Sequence, residues 1–118
     1  MRILITGSRT WTDKVTVAQA IREAWLVQGR PYGVVVVHGG AKGADYIAGV
    51  YAKDLGFSVE VHEADWTIGK RAGYIRNKKM VDAGADVCLA FIKDNSKGAT
   101  MCAELAQKSG IPTHIWRQ

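Results

Sequence analysis

Short apolar runs, rich in β-branched residues, recur along the chain at Arg2 to Thr6, Gly33 to His38, Ser58 to Glu63, Asp86 to Phe91 and Thr113 to Trp116. Each has the length of a strand. Between them the apolar residues change period and recur every three or four positions, as on one face of a helix. Thr12 or Asp13 can cap a first helix whose stripe is Val17, Ala18, Ile21 and Trp25, with Gly29 as its stop. A second is predicted from Ala44 to Leu55, carrying Ile47, Ala48, Tyr51, Ala52 and Leu55 on one side and ending at Gly56. A third runs from Lys70 to Ala83 with a stop at Gly84. A fourth runs from Ala99 to Ser109, ahead of Gly110 and Pro112.

Strict alternation of strand and helix predicts an α/β fold with a parallel sheet and helices on both faces, a small doubly wound Rossmann-like sandwich. The Val34 to Val37 run has the continuous apolar character of a strand covered on both sides. Five strands and about four helices fit the order 3-2-1-4-5, with the topological switch between the first and fourth strands. Ligands of such sheets bind beyond the carboxyl ends of the strands at that switch. No repeat or linker interrupts residues 1–118, and Lys93 to Lys97 is only a short polar loop, so one domain is expected.

Composition narrows the class. A chain of 118 residues buries enough surface to fold without disulfides or structural metal. Its two cysteines, Cys88 and Cys102, sit in apolar sequence and form no C-x-x-C pair, which fits a reducing cytoplasm. The apolar run Ile3 to Ile5 is too short for a signal or a membrane span, so a soluble cytoplasmic protein is expected. The net charge of +5 raises the question of nucleic acid. The surplus is local: Lys70, Arg71, Arg76, Lys78 and Lys79 fall within one predicted helix, and the rest of the chain balances.

Three predicted strand ends share one composition. The first leads into Gly7, Ser8 and Arg9. The second leads into Gly39, Gly40, Ala41, Lys42, Gly43, Ala44 and Asp45, and the fourth into Asn95, Ser96, Lys97, Gly98, Ala99 and Thr100. Glycine turns ahead of helices let backbone approach a ligand, and free N–H groups at a helix start attract anions. They also serve close packing alone. The spacing matches neither G-x-G-x-x-G nor G-x-x-x-x-G-K-[ST], which argues against a dinucleotide dehydrogenase or a P-loop NTPase.

At 100° per residue Arg76 shares the small, apolar face of its helix with Ala72, Gly73, Met80 and Ala83, whereas Lys78 lies beside Asp82. An inward guanidinium needs an acceptor: Asp45, Asp65 or Glu104 within the protein, or a ligand phosphate or carboxylate, the preferred reading. Thr100 and Glu104 share a face of the fourth helix, where the glutamate could hold a ribose hydroxyl, act as a base or simply favour the helix dipole. Trp66, with Trp11 and Tyr74, is placed near the strand ends and offers a stacking surface, although a tryptophan in so small a chain more often packs in the core. His38, His62 and His114 share no metal-ligand spacing, and neither metal nor cofactor is expected.

The strings GSR (Gly7 to Arg9), HGGAKGAD (His38 to Asp45), EADW (Glu63 to Trp66), GKRAGYIRNKKM (Gly69 to Met80) and KGAT (Lys97 to Thr100) together resemble the SLOG superfamily. The nearest branch is the YspA-like, YpsA-related one, with Ala-Gly-x-x-Arg-Asn-x-x-Met as the most specific pattern. More distant similarity extends to the LOG phosphoribohydrolases and to the DprA/Smf Rossmann-like domain. The resemblance implies a Rossmann-like fold that binds nucleotides or nucleotide-derived ligands, sometimes as a sensor in stress or phage-conflict systems. In LOG enzymes an arginine and a glutamate cleave the N-glycosidic bond of nucleoside monophosphates. Arg76, with Met80 in register, is similar to that arginine. The Pro-Gly-Gly part of the LOG motif is missing, and Glu104 falls one residue late after Thr100, a rotation of ~100° on a helix.

The expectation is therefore a nucleotide site on Gly7, Ser8, Gly39, Gly40, Gly43, Gly98 and Thr100. Arg76, Arg9 and Lys70 supply counter-charge, Asp45 or Glu104 accepts ribose hydroxyls, and Trp66 and Asn77 lie alongside. The alternative is a phosphoribohydrolase using Arg76 and Glu104, and a third reading is nucleic-acid binding through the basic helix. A small-molecule nucleotide is the expected partner, a homodimer or larger homo-oligomer is compatible with such a domain, nucleic acid is disfavoured and no membrane is expected.

Overall fold

The computed structural model describes residues 1–118. The elements follow one another as β1 (Arg2–Gly7), α1 (Lys14–Val27), β2 (Val35–His38), α2 (Ala44–Asp54), β3 (Ser58–Val61), a 3-10 turn (Trp66–Ile68), α3 (Ala72–Asp82), β4 (Val87–Ile92), α4 (Lys97–Lys108) and β5 (Thr113–Arg117). All five strands are parallel in the order β3-β2-β1-β4-β5, the predicted order. Ile3 pairs in register with Val36 on one side and Val87 on the other, so β1 is the central strand.

The period-two alternation of the strands sorts the core into two layers. Ile3, Ile5, Val36, Leu89 and Phe91 meet Val17 and Ile21 of α1 and Ala44, Ala48 and Ala52 of α2. On the opposite face Leu4, Val37 and Cys88 meet Met80 and Val81 of α3 and Cys102 and Ala106 of α4. Every residue of β4 is buried, as a strand covered on both faces requires. Phe91 lies between two aromatic rings, stacked on Trp116 at 5.0 Å and tilted against Trp11 at 5.5 Å.

Helix boundaries are where the structure departs from the sequence reading. Asp13 caps α1 by accepting from the Thr16 N–H at 3.1 Å, one of the two caps expected. Helix α3 starts two residues late. The segment Trp66–Ile68 first closes its own turn, with Asp65 accepting from the Thr67 N–H and Gly69 at φ +95°, which leaves Lys70 and Arg71 ahead of the helix. Helix α4 starts two residues early. Asp94 and Asn95 adopt φ of 54° and 52°, reversing the chain sharply enough for Thr100 N–H to bond Ser96 O at 3.0 Å. This brings the first turn of α4 directly against the end of β4.

Two glycines make the close approach of the strand-end loops feasible. A Cβ on Gly7 would collide with the Ala44 side chain and stand 2.9 Å from the Phe91 carbonyl oxygen. One on Gly43 would strike the Ser8 carbonyl oxygen, at a φ of +76° that side chains rarely adopt. Gly98, by contrast, faces open space. Gly7→Ala and Gly43→Ala are each expected to destabilise the protein by about 2 kcal/mol or more through overpacking. Gly98→Ala is expected to leave stability unchanged or raise it by up to about 1 kcal/mol, as alanine in a helix should. Urea unfolding midpoints of the three variants check this contrast.

Candidate functional site

Beyond the carboxyl end of β1 the chain turns toward α1 on one face, and beyond β4 it turns toward α4 on the other. The two loops diverge and leave a crevice, which α3 and the 3-10 turn wall in. Its volume is about 440 Å³. Gly7 and Ser8 form part of its lining, with Asp45 of α2, Arg76 and Asn77 of α3 and Gly98 of α4; Arg9 and Trp66 also line it.

Hydrogen bonds lock these parts together. Ser8 Oγ donates to the Lys93 carbonyl at 3.1 Å and accepts from the Lys93 N–H at 2.7 Å, tying the loop after β1 to the loop after β4. Asn77, 4% exposed, accepts from Arg76 Nε at 2.8 Å through Oδ1 and donates to the Gly98 carbonyl at 3.4 Å through Nδ2. It thus fixes the guanidinium on one side and the α4 terminus on the other. Arg76 points inward, as its helical position implies, but its partners are neutral: Nη1 donates to the Gly39 carbonyl at 2.7 Å, and no carboxylate pairs with it. Lys78 instead makes a surface pair with Asp82 at 3.0 Å.

The loop Gly39 to Gly43 is organised differently from the expected phosphate cradle. Asp45 Oδ2 accepts from the Gly39 N–H at 3.1 Å and from the Ala41 N–H at 3.3 Å, while the Gly40 N–H bonds His38 Nδ1 at 2.9 Å. These amides are held by protein groups, and Gly39, Gly40 and Gly43 do not line the crevice. Their small size serves packing: a Cβ on Gly39 would collide with the Arg76 guanidinium. Burial pushes the Asp45 carboxyl up to about 6, against the pull of its two backbone donors and of Arg76. Its Oδ1 is buried without a partner. His38, buried and under the field of Lys53 and Arg76, is shifted below its ordinary value.

Trp66 is 54% exposed, not core, and the Arg9 guanidinium stands 5.8 Å from its ring centroid. Gly73 leaves room for the edge of the ring, since a Cβ there would lie 3.3 Å from the indole. Trp11 takes the core position that composition favours, and Tyr74 is exposed outside the crevice. Lys70, Thr100 and Glu104 also fall outside. Helix α4 buries Ala99, Cys102, Ala103 and Ala106, and Glu104, one step of 100° beyond Ala103, is turned to solvent. Sequence reasoning did not single out Thr6, Lys93 and Asp94, which line the crevice with Ser96 of the predicted strand-end turn. The signal was available in the polar loop that follows β4, whose start lies at the switch point.

The family model described as "YspA, cpYpsA-related SLOG family" matches residues 1–69. The chain belongs to that family, and membership points to a ligand-binding or nucleotide-related role. It is also 53% identical over 117 residues to the Gene 61 protein of Mycobacterium phage D29, covering 94% of this chain and 92% of the phage protein. No solved structure matches it. No helix is long and apolar enough to cross a membrane.

The raised carboxyl of Asp45 has a consequence for stability. The unfolded chain ionises near 3.8 and the folded one near 6, so the folded state binds more protons across that interval and stability falls as pH rises through it. The loss attributable to this residue is on the order of 3 kcal/mol. Asp45→Asn removes the titration, so its stability relative to the wild type is expected to improve by that order between pH 4 and pH 7. Chemical denaturation of both proteins at the two pH values measures the difference.

Proposed function

We propose that this protein binds a nucleotide or nucleotide-derived ligand in the crevice between the ends of β1 and β4, acting as a sensor or ligand-binding module. The observation that supports this most is the inward Arg76, held in place by Asn77 and a backbone carbonyl but in no ion pair with a carboxylate. A buried or half-buried guanidinium kept free of an internal ion pair favours an external anion. The first turn of α4, opening on the same crevice through Ser96, Gly98 and Ala99, adds the positive end of a helix dipole. Arg9 and Lys93 contribute further positive charge, and the exposed face of Trp66 offers a planar base a stacking partner. A phosphate thus sits near Arg76 and the α4 terminus, and the base lies toward Trp66.

The hydrolytic alternative requires a carboxylate at the ribosyl carbon. Glu104, the residue that would supply it, is exposed and outside the crevice, so binding is the better-supported reading. Calorimetric titration with AMP, CMP, ADP-ribose and cyclic nucleotides tests it. At least one is expected to bind, with Arg76→Ala weakening it tenfold or more. Absence of binding by all of them, or an unchanged affinity in the variant, overturns the reading.

A further inference from the structure

Asp45 is 5% exposed and lines the crevice, yet only one of its two carboxylate oxygens is used. Oδ2 holds the Gly39 and Ala41 amides and so fixes the loop; Oδ1 has no hydrogen-bond partner. The loop alone needs no second oxygen, since the single carbonyl of an asparagine could accept the same two N–H groups. A buried carboxylate oxygen without a donor is costly, and proteins rarely leave one so. A donor seated in the crevice would satisfy it. That crevice already carries Arg9, Arg76 and Lys93 against Asp45 and Asp94, so a neutral donor suits it better than a further cation.

We propose that Asp45 Oδ1 accepts a hydrogen bond from a hydroxyl of the bound ligand, making the site selective for ribonucleotides over their deoxy counterparts. This rests on the nucleotide reading above and identifies the group that reads the sugar. Asp45 is the rigid partner, pinned at the start of α2 by two backbone donors. Arg76 is held beside it by Asn77 and the Gly39 carbonyl. It reaches the Gly39 carbonyl through a long side chain, and its charge acts on the Asp45 carboxyl. The ligand's phosphate and its hydroxyl are thereby recognised together, one by the arginine and the other by the aspartate beside it. A deoxy ligand strands the buried oxygen, and such a mismatch is penalised strongly.

The test measures, on the full chain, the affinities of AMP, CMP, GMP and UMP and of the 2′,3′-dideoxy form of whichever binds tightest. At pH 7.5 the wild type is expected to bind the ribonucleotide tenfold or more tightly than its dideoxy form. Asp45→Asn, which keeps an acceptor for the loop but offers an NH₂ to the ligand, is expected to reduce that ratio below threefold; the lost negative charge acts on both ligands alike and cancels in the ratio. A merely structural role for Asp45 would weaken both ligands alike and leave the ratio intact, which overturns the proposal. Equal binding of the two by the wild type overturns it too, with the nucleotide reading left standing; binding of none of the four overturns it as well, and the nucleotide reading falls with it only when ADP-ribose and the cyclic nucleotides also fail to bind.

Should Asp45→Asn fail to fold, the same ratio at pH 5 decides. Protonation of Asp45, whose carboxyl is pushed up to about 6, removes the ionised acceptor, and the ratio is expected to fall at least threefold. The phosphate titrates identically in both ligands and cancels. The charged or titratable groups around Asp45 are Arg9, His38, Arg76, Lys93, Asp94 and Cys102. Of these, His38 does not line the crevice and its Nδ1 is engaged by Gly40, while burial raises the Cys102 thiol to about 11. A ratio unchanged between pH 5 and pH 7.5 overturns the proposal.

Discussion

The burial of β1 on both faces governs everything else in this protein. Ile3, Leu4 and Ile5 are fully buried, alternately beneath α1 and α2 and beneath α3 and α4, so the strand must occupy the centre of the sheet. A central parallel strand needs neighbours on both sides, and right-handed crossovers then send the chain one way after β1 and the other way after β4. The crevice is the geometric residue of that divergence. Polar and glycine residues collect there because both loops must leave the sheet within a few residues and in contact with each other.

Once the loops meet, a small number of hydrogen bonds makes the crevice rigid. Ser8 ties the β1 loop to Lys93, Asp45 ties the β2 loop to its own helix, and Asn77 ties Arg76 to Gly98. Each is a side chain that makes two hydrogen bonds, and the serine, aspartate and asparagine are all buried. Side chains fixed in this way hold donors and acceptors at set positions without further ordering when a ligand arrives, which is the main saving a preorganised site offers. Asp45 departs from the rule with one oxygen left over, and Arg76 with no ion pair.

The basic surplus reads differently in three dimensions. Five cations between residues 70 and 79 resemble a nucleic-acid stripe when counted along the chain. In the fold Arg76 turns inward, Lys78 is paired with Asp82, and Lys70 and Arg71 belong to a turn ahead of α3. The charge that faces the crevice comes from three elements, with Arg9 and Lys93 joining Arg76 from loops far away in sequence.

Strand order, helix count, a cap at Thr12 or Asp13 and the inward direction of Arg76 were all legible in the chain, because each follows from a local period or from the handedness of crossovers. The same local logic located the strand-end loops that build the crevice. What the glycines do within them was not legible. Whether the Gly39 and Gly40 amides face a ligand or a protein group depends on where Asp45 and His38 sit, and a helix and a strand must be folded before that is settled. Trp66 outside the core and Glu104 facing solvent were likewise decided by packing. Arg9 and Gly73 leave room for the indole at the mouth, and the alanines of α4 claim the inner face that the glutamate would otherwise share. Periodicity records which side of its own element a residue occupies; only the tertiary structure decides what stands opposite it.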